Sequence, residues 1–158
     1  MKNGEHYKDP TASRAITRVM REAKLEEMDS LRPRSVTLDT ISEAEEQIAV
    51  MTWARYNEKK YSPLKWLHHI PNGGTRNKAE AVQLKRMGVK SGVPDLFLPY
   101  PNKNYHGLYI EMKSEKGRPT ACQKEWIEWL TKNNYRAVIC HGAKSAIYEL
   151  ERYLNDEA

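Results

Sequence analysis

The chain has 158 residues, 39% of them hydrophobic, and carries 26 Lys and Arg against 21 Asp and Glu. That length suffices for one domain with a core plus a short extension, and no apolar run approaches the roughly 20 residues that span a bilayer. The opening residues, Met1 to Lys8, lack the apolar stretch of a secretory signal, and neither Cys122 nor Cys140 has a partner at metal-ligand spacing. A cytosolic protein with two reduced, buried thiols is expected. The net charge of +5 is concentrated: between Thr75 and Arg118, nine basic side chains stand against four acidic ones. A local positive field of this kind suits a polyanion, although a merely solvated basic surface has the same composition.

Residues 1–40 are dominated by polar and charged side chains, with a partly helical pattern around Ala15, Val19, Ala23 and Leu25 that Pro33 interrupts. They read as an arm, and residues 41–158 as the compact domain. Ser42-Glu-Ala-Glu45 is a capping-box pattern that opens a helix reaching about Glu58. Ser62-Pro63 breaks it, and Leu64 to Ile70 is expected as a strand. Pro71-Asn-Gly-Gly74 is a turn, and Asn77 to Met87 a short helix stopped by Gly88. A short apolar run, Leu96–Leu98, reads as one strand, and Leu108–Lys113 as another by composition and alternation. Thr120 caps a helix containing Trp126, Ile127 and Leu130, Arg136–Cys140 is a strand, and Ser145–Leu154 a final helix. Mixed short strands with helices able to cover both faces indicate an α/β sandwich around a central mixed four-stranded sheet.

Two of these strands carry the chemistry. Asp95 opens one, and Glu111-Met-Lys113 closes the next. Alternation puts Glu111 and Lys113 on one face and turns Met112 away. If the strands pair as a hairpin, Asp95 and Glu111 come close enough to share one divalent ion, and hard carboxylates favour Mg²⁺ or Mn²⁺ over zinc. Such an ion activates water and neutralises charge on a phosphate, with Lys113 placed to position that water or stabilise the pentavalent phosphorus. Glu-x-Lys alone commonly marks a solvated strand face. Here the strand before it is apolar, an Asp follows Gly-Val-Pro one strand earlier, and basic residues surround both.

Gly92-Val-Pro-Asp95-Leu followed by Tyr109-Ile-Glu-Met-Lys113 resembles the signature of the PD-(D/E)XK nuclease superfamily. Ser42 to Gln47, His69 to Gly74, Leu84 to Asp95, His106 to Lys113 and Gln123 to Trp126 are similar, more narrowly, to the virus-type replication-repair nuclease (VRR-NUC) family in its short phage and bacterial form. The similarity covers about residues 42–154. It implies a restriction-endonuclease-like fold and phosphodiester hydrolysis with Mg²⁺ or Mn²⁺. The implied metal ligands are a helix Glu, Asp95, Glu111 and the backbone carbonyl of Met112. It further implies DNA as partner, branched DNA cut by a homodimer as Holliday-junction resolvases do, or flap and repair cleavage as in larger relatives.

Three glutamates of the first helix compete for the ligand role. At about 100° per residue, Glu46 lies roughly 60° from Glu43 and Glu45 roughly 160° away. Glu45 also closes the capping box with Ser42, although Thr40 and Glu43 share that spacing. The family pattern, an acid four residues before Gln47, selects Glu43, with Glu46 in reserve. Gln123 is a candidate for active-site support or phosphate contact, or a plain exposed helix residue. Of His68 and His69, one is expected to face the core, in a packing or phosphate-contact role. Asn72, Gly73 and Gly74 either present N–H groups to phosphate or form an ordinary turn. Arg76, Lys78, Lys85, Arg86, Lys90 and Lys116 are candidates, as a group, for the DNA backbone. Trp126 and Trp129 read as core or dimer contacts. A non-catalytic DNA-binding module would have lost Asp95, Glu111 or Lys113, and all three are present. A sequence-specific restriction enzyme would need recognition elements for which the domain has little room.

Overall fold

The computed structural model describes residues 42–71 and 78–158. The predicted arm and the 72–74 turn, with Arg76, lie outside the described residues. Helix α1, Glu43–Asn57, begins where the sequence places it. Ser42 Oγ accepts the Glu45 N–H at 3.3 Å, and the Glu45 carboxylate accepts the Ser42 N–H at 2.9 Å. These reciprocal bonds satisfy two donors that a bare helix start would leave unpaired. Ala49, Val50 and Ala54 form its buried stripe.

The strand expected at Leu64–Ile70 is mostly a 3-10 turn, Ser62–Trp66, and only His68–His69 is extended, as β1. Pro63 fits the first turn of a helix because its missing N–H is not needed there. Leu64 and Leu67 are both buried, and their spacing of three matches a helical turn rather than a strand. By register His69 lies on the face of buried Leu96 and His68 on that of Phe97, but both are exposed on this edge strand and neither is part of the core. Helix α2, Lys78–Arg86, lies within the predicted span, followed by β2, Leu96–Leu98, and β3, Leu108–Lys113.

Thr120 caps α3, Ala121–Lys132, through a second capping box closed by Gln123. Strand β4, Arg136–His141, leads directly into α4, Gly142–Leu154. That helix starts three residues before the expected Ser145, because its first turn finds a hydrogen-bond acceptor on α1, the Glu46 carboxylate. Among the described residues, the sheet has four strands in the order β1-β2-β3-β4, antiparallel except for the parallel β3–β4 pair.

Alternation along the strands divides the sheet into two unlike faces. Leu96, Leu98, Leu108, Ile110, Met112 and Cys140 form one core with Ala49 and Val50 of α1 and Ala146, Ile147, Leu150 and Tyr153 of α4. On the other face, Phe97 stacks on Tyr109 with ring centroids 4.2 Å apart, Tyr135 meets Tyr109 edge-on, and α3 packs beside β4. The charged end of β3 opens onto this second face. Cys122 is exposed on the first turn of α3, not buried as expected, whereas Cys140 is fully buried. Trp129 is 55% exposed and no part of the core. No helix among the described residues is long and apolar enough to cross a membrane.

Candidate active site

Leu96 pairs with Ile110, and one further step of this register sets Asp95 opposite Glu111. Three contacts hold Asp95 there. Its Oδ2 accepts the Met112 N–H at 2.9 Å. Its carbonyl oxygen accepts the Ile70 N–H at 2.8 Å and lies 2.8 Å from His69 Nδ1, which must donate because a carbonyl only accepts. The preceding turn is fixed by close approach to α3. A Cβ on Gly92, whose φ is +81°, would lie 2.8 Å from Cys122, so only glycine fits. The Trp126 indole N–H donates to the Ser91 carbonyl at 3.1 Å, which gives that half-buried ring a definite task.

Glu111 is completely buried. Its Oε1 accepts from Lys113 Nζ at 2.6 Å and from the Gln123 side-chain amide, while its Oε2 has no partner. Burial pushes the Glu111 carboxyl up to about 7, against the pull of Lys113 and with added repulsion from Asp95 and Glu43. Gln123 has two roles, because its amide oxygen also accepts the Thr120 N–H at 2.8 Å within the capping box. The start of α3 therefore fixes the orientation of Glu111.

Lys113 Nζ lies 2.6 Å from Glu111 Oε1, 2.8 Å from the Met112 carbonyl and 3.7 Å from Glu43 Oε2. Burial works against its charge, but the bond to Glu111 and the fields of Glu111, Glu43 and Asp95 prevail and raise its pKa. Lys113 is an ammonium ion here. Among the described residues, no three His, Cys, Asp or Glu side chains stand as a ready metal-holding group.

The three helix glutamates go to three places. Glu43 Oε1 accepts the Ser114 N–H at 3.1 Å, next to Lys113. Glu45 closes the cap of α1. Glu46, buried, accepts the Ala143 N–H at 2.8 Å, at the start of α4. Ser114 to Gly117 turns tightly beneath Glu43, and a Cβ on Gly117 would lie 2.9 Å from Glu43 Oε1. Sequence reasoning missed Ser114, Gly117 and His141, whose Nδ1 lies 2.9 Å from the Ser114 carbonyl. The S-x-x-G spacing was the one available signal for the turn. The structure brings Glu43, Asp95, Glu111, Lys113 and Gln123 together and sends Glu46 elsewhere. Lys85, Arg86, Lys90 and Lys116 are all exposed. Lys78 opens α2.

A mixed sheet flanked by helices, with an Asp and a Glu-x-Lys side by side on adjacent strands, is the restriction-endonuclease-like arrangement of the PD-(D/E)XK nucleases. The family model described as VRR-NUC domain matches residues 30–144, and the chain belongs to that nuclease family. A solved structure described as a VRR_NUC domain protein is 36% identical, with a TM-score of 0.64 over 75% of this chain and 92% of its own. No curated protein matches.

Proposed function

We propose that this chain is a Mg²⁺- or Mn²⁺-dependent DNA endonuclease. It hydrolyses phosphodiesters in branched DNA as a Holliday-junction resolvase does, in replication, recombination or repair in the cytoplasm of a bacterial or phage-infected cell. The observation that carries the hydrolytic reading is Glu111, a carboxylate at 0% exposure with one oxygen left unbonded beside Asp95, Glu43 and Lys113. An orphaned, buried acid costs stability, and proteins retain such groups where chemistry needs them.

The donor set suits a hard divalent ion: the carboxylates of Glu43, Asp95 and Glu111, and the Met112 carbonyl. When bound, the ion supplies Lewis acidity and a water acidic enough to attack. The protein's own groups do the positioning. Met112 N–H and His69 fix Asp95, and Gln123 fixes Glu111. Lys113 brings a positive charge to the place where phosphate charge grows. Exposed Lys85, Arg86, Lys90 and Lys116 supply counter-charge for the DNA backbone, and Arg76 and Lys78 join them on sequence grounds. Family resemblance alone supports a homodimer, whose paired sites would cut a four-way junction symmetrically.

Labelled duplex, single strand, flap and four-way junction, each with Mg²⁺ or Mn²⁺, test this reading. The junction should be cut best, by a dimer in light scattering, and not at all by Glu111→Gln. Cutting that survives a chelator would overturn metal dependence. A monomer that prefers the flap would replace the resolvase reading with a repair-type nuclease, and junction binding with no cutting would leave a DNA-binding module.

A further inference from the structure

Hydrolysis needs groups that accept hydrogen bonds from the attacking water, and around Glu111 most acceptors are already engaged, Glu111 Oε2 excepted. Lys113 is a charged ammonium among three oxygens. Asp95 Oδ2 takes the Met112 N–H, Glu111 Oε1 takes two donors, and Glu43 takes the Ser114 N–H.

His141 stands beside this group. It ends β4 and pairs with Lys113 in the parallel β3–β4 ladder, just as Ile139 pairs with Glu111. Residues paired in this way share a face, so His141 lies on the face of Glu111 and Lys113, while Met112 and Cys140 turn into the core. Its Nδ1 lies 2.9 Å from the Ser114 carbonyl oxygen. Because that oxygen can only accept, Nδ1 carries the hydrogen, which leaves Nε2 as the ring nitrogen with a lone pair to offer. The residue is exposed, and Nε2 has no partner among the described residues. Ser114 meanwhile donates its N–H to Glu43, so one residue ties His141 and Glu43 together.

We propose that His141 is a positioning residue of the nuclease site, its Nε2 accepting a hydrogen bond from the attacking water and aiming that water's oxygen at phosphorus. The inference rests on the hydrolytic reading above. Substitutions separate the two ring nitrogens. In His141→Asn, the side-chain amide N–H can replace Nδ1 toward Ser114, but nothing reaches as far as Nε2. In His141→Gln, the longer side chain restores an acceptor at that reach.

The test compares these variants and His141→Ala in the full chain on a labelled four-way junction with Mg²⁺. It reads kcat and KM, DNA affinity in EDTA, and Tm. His141→Ala and His141→Asn should both lose roughly 10- to 100-fold in kcat, the cost of a misplaced reactant. KM and affinity in EDTA should stay unchanged, His141→Asn should melt as wild type, and His141→Gln should recover part of the rate. Wild-type kcat in His141→Asn would overturn the proposal, since the bond to Ser114 would then be the whole role. A raised KM with unchanged kcat would overturn it too, by showing a DNA contact instead. Glu111→Gln runs alongside. If it cuts, the hydrolytic reading itself fails; if it is inert while His141→Asn cuts normally, only the role of His141 fails.

Discussion

Glu46 accepts the Ala143 N–H at 2.8 Å, which keys helix α1 to the first turn of α4. The bond satisfies a helix-start donor that has no partner within α4, and a carboxylate suits the positive end of that helix. Glu43 sits one turn earlier on the same side of α1. The rotation that seats Glu46 therefore also brings Glu43 to Ser114 and Lys113.

Glu46→Ala should accordingly cost about 1–3 kcal/mol of stability, the range for a buried donor left unpaired. Glu46→Gln keeps an acceptor oxygen and should lose less. Urea denaturation at pH 7 measures both, and an unchanged midpoint in Glu46→Ala would show that the bond contributes nothing.

Glu43 and Glu45 should separate in the opposite way. Glu43→Gln should remove cleavage at low Mg²⁺ and leave folding intact, because Glu43 is partly solvated beside Lys113. Glu45→Gln should cut normally and lose at most about 1 kcal/mol, the value of a cap contact. Cleavage assays over a Mg²⁺ series decide, and an inactive Glu45→Gln beside an active Glu43→Gln would reverse the assignment.

Charge reversal at Lys85, Arg86 and Lys90 together should weaken DNA binding and flatten its salt dependence. Each phosphate that the protein no longer neutralises takes about 0.9 off the slope of log K against log salt. All three side chains are exposed, so folding should not change. Affinity measured across a salt series is the readout, and an unaltered slope would place these residues away from DNA.

The two thiols should react unequally. Burial pushes the Cys140 thiol up to about 11, so at pH 8 it is almost wholly protonated, and thiolate is the reactive form. Cys122 is exposed. Iodoacetamide at pH 8 should modify one cysteine in the native protein and two after denaturation, as mass spectrometry would show. Rapid native labelling of Cys140 would contradict the packing of β4.

Local signals made much of this fold legible. Ser42 and Thr120 announce their helices because a cap is written within four residues, and β2 and β3 fall where the apolar run and the alternating segment place them. The misreadings came mainly from contacts distant in sequence. Leu64 to Ile70 looks extended by composition, yet Pro63 and the Leu64–Leu67 spacing close a turn. The start of α4 depends on Glu46, 97 residues away, and no local pattern reveals such a cap. In the site, Asp95, Glu111 and Lys113 stand out as charges at the ends of apolar strands. Ser114 and His141 do not, because their contacts run through backbone groups that only the folded sheet brings near.

The ammonium of Lys113 rests against Glu111, the Met112 carbonyl and Glu43, three members of the proposed ligand set. The chain thus carries its own counter-charge to the buried carboxylate at the end of β3. Many small metal-binding domains cannot fold until their ion arrives, because the ion alone neutralises the ligands. Here the lysine balances the charge of Glu111 from within the chain, so that balance is built into the folded sheet itself.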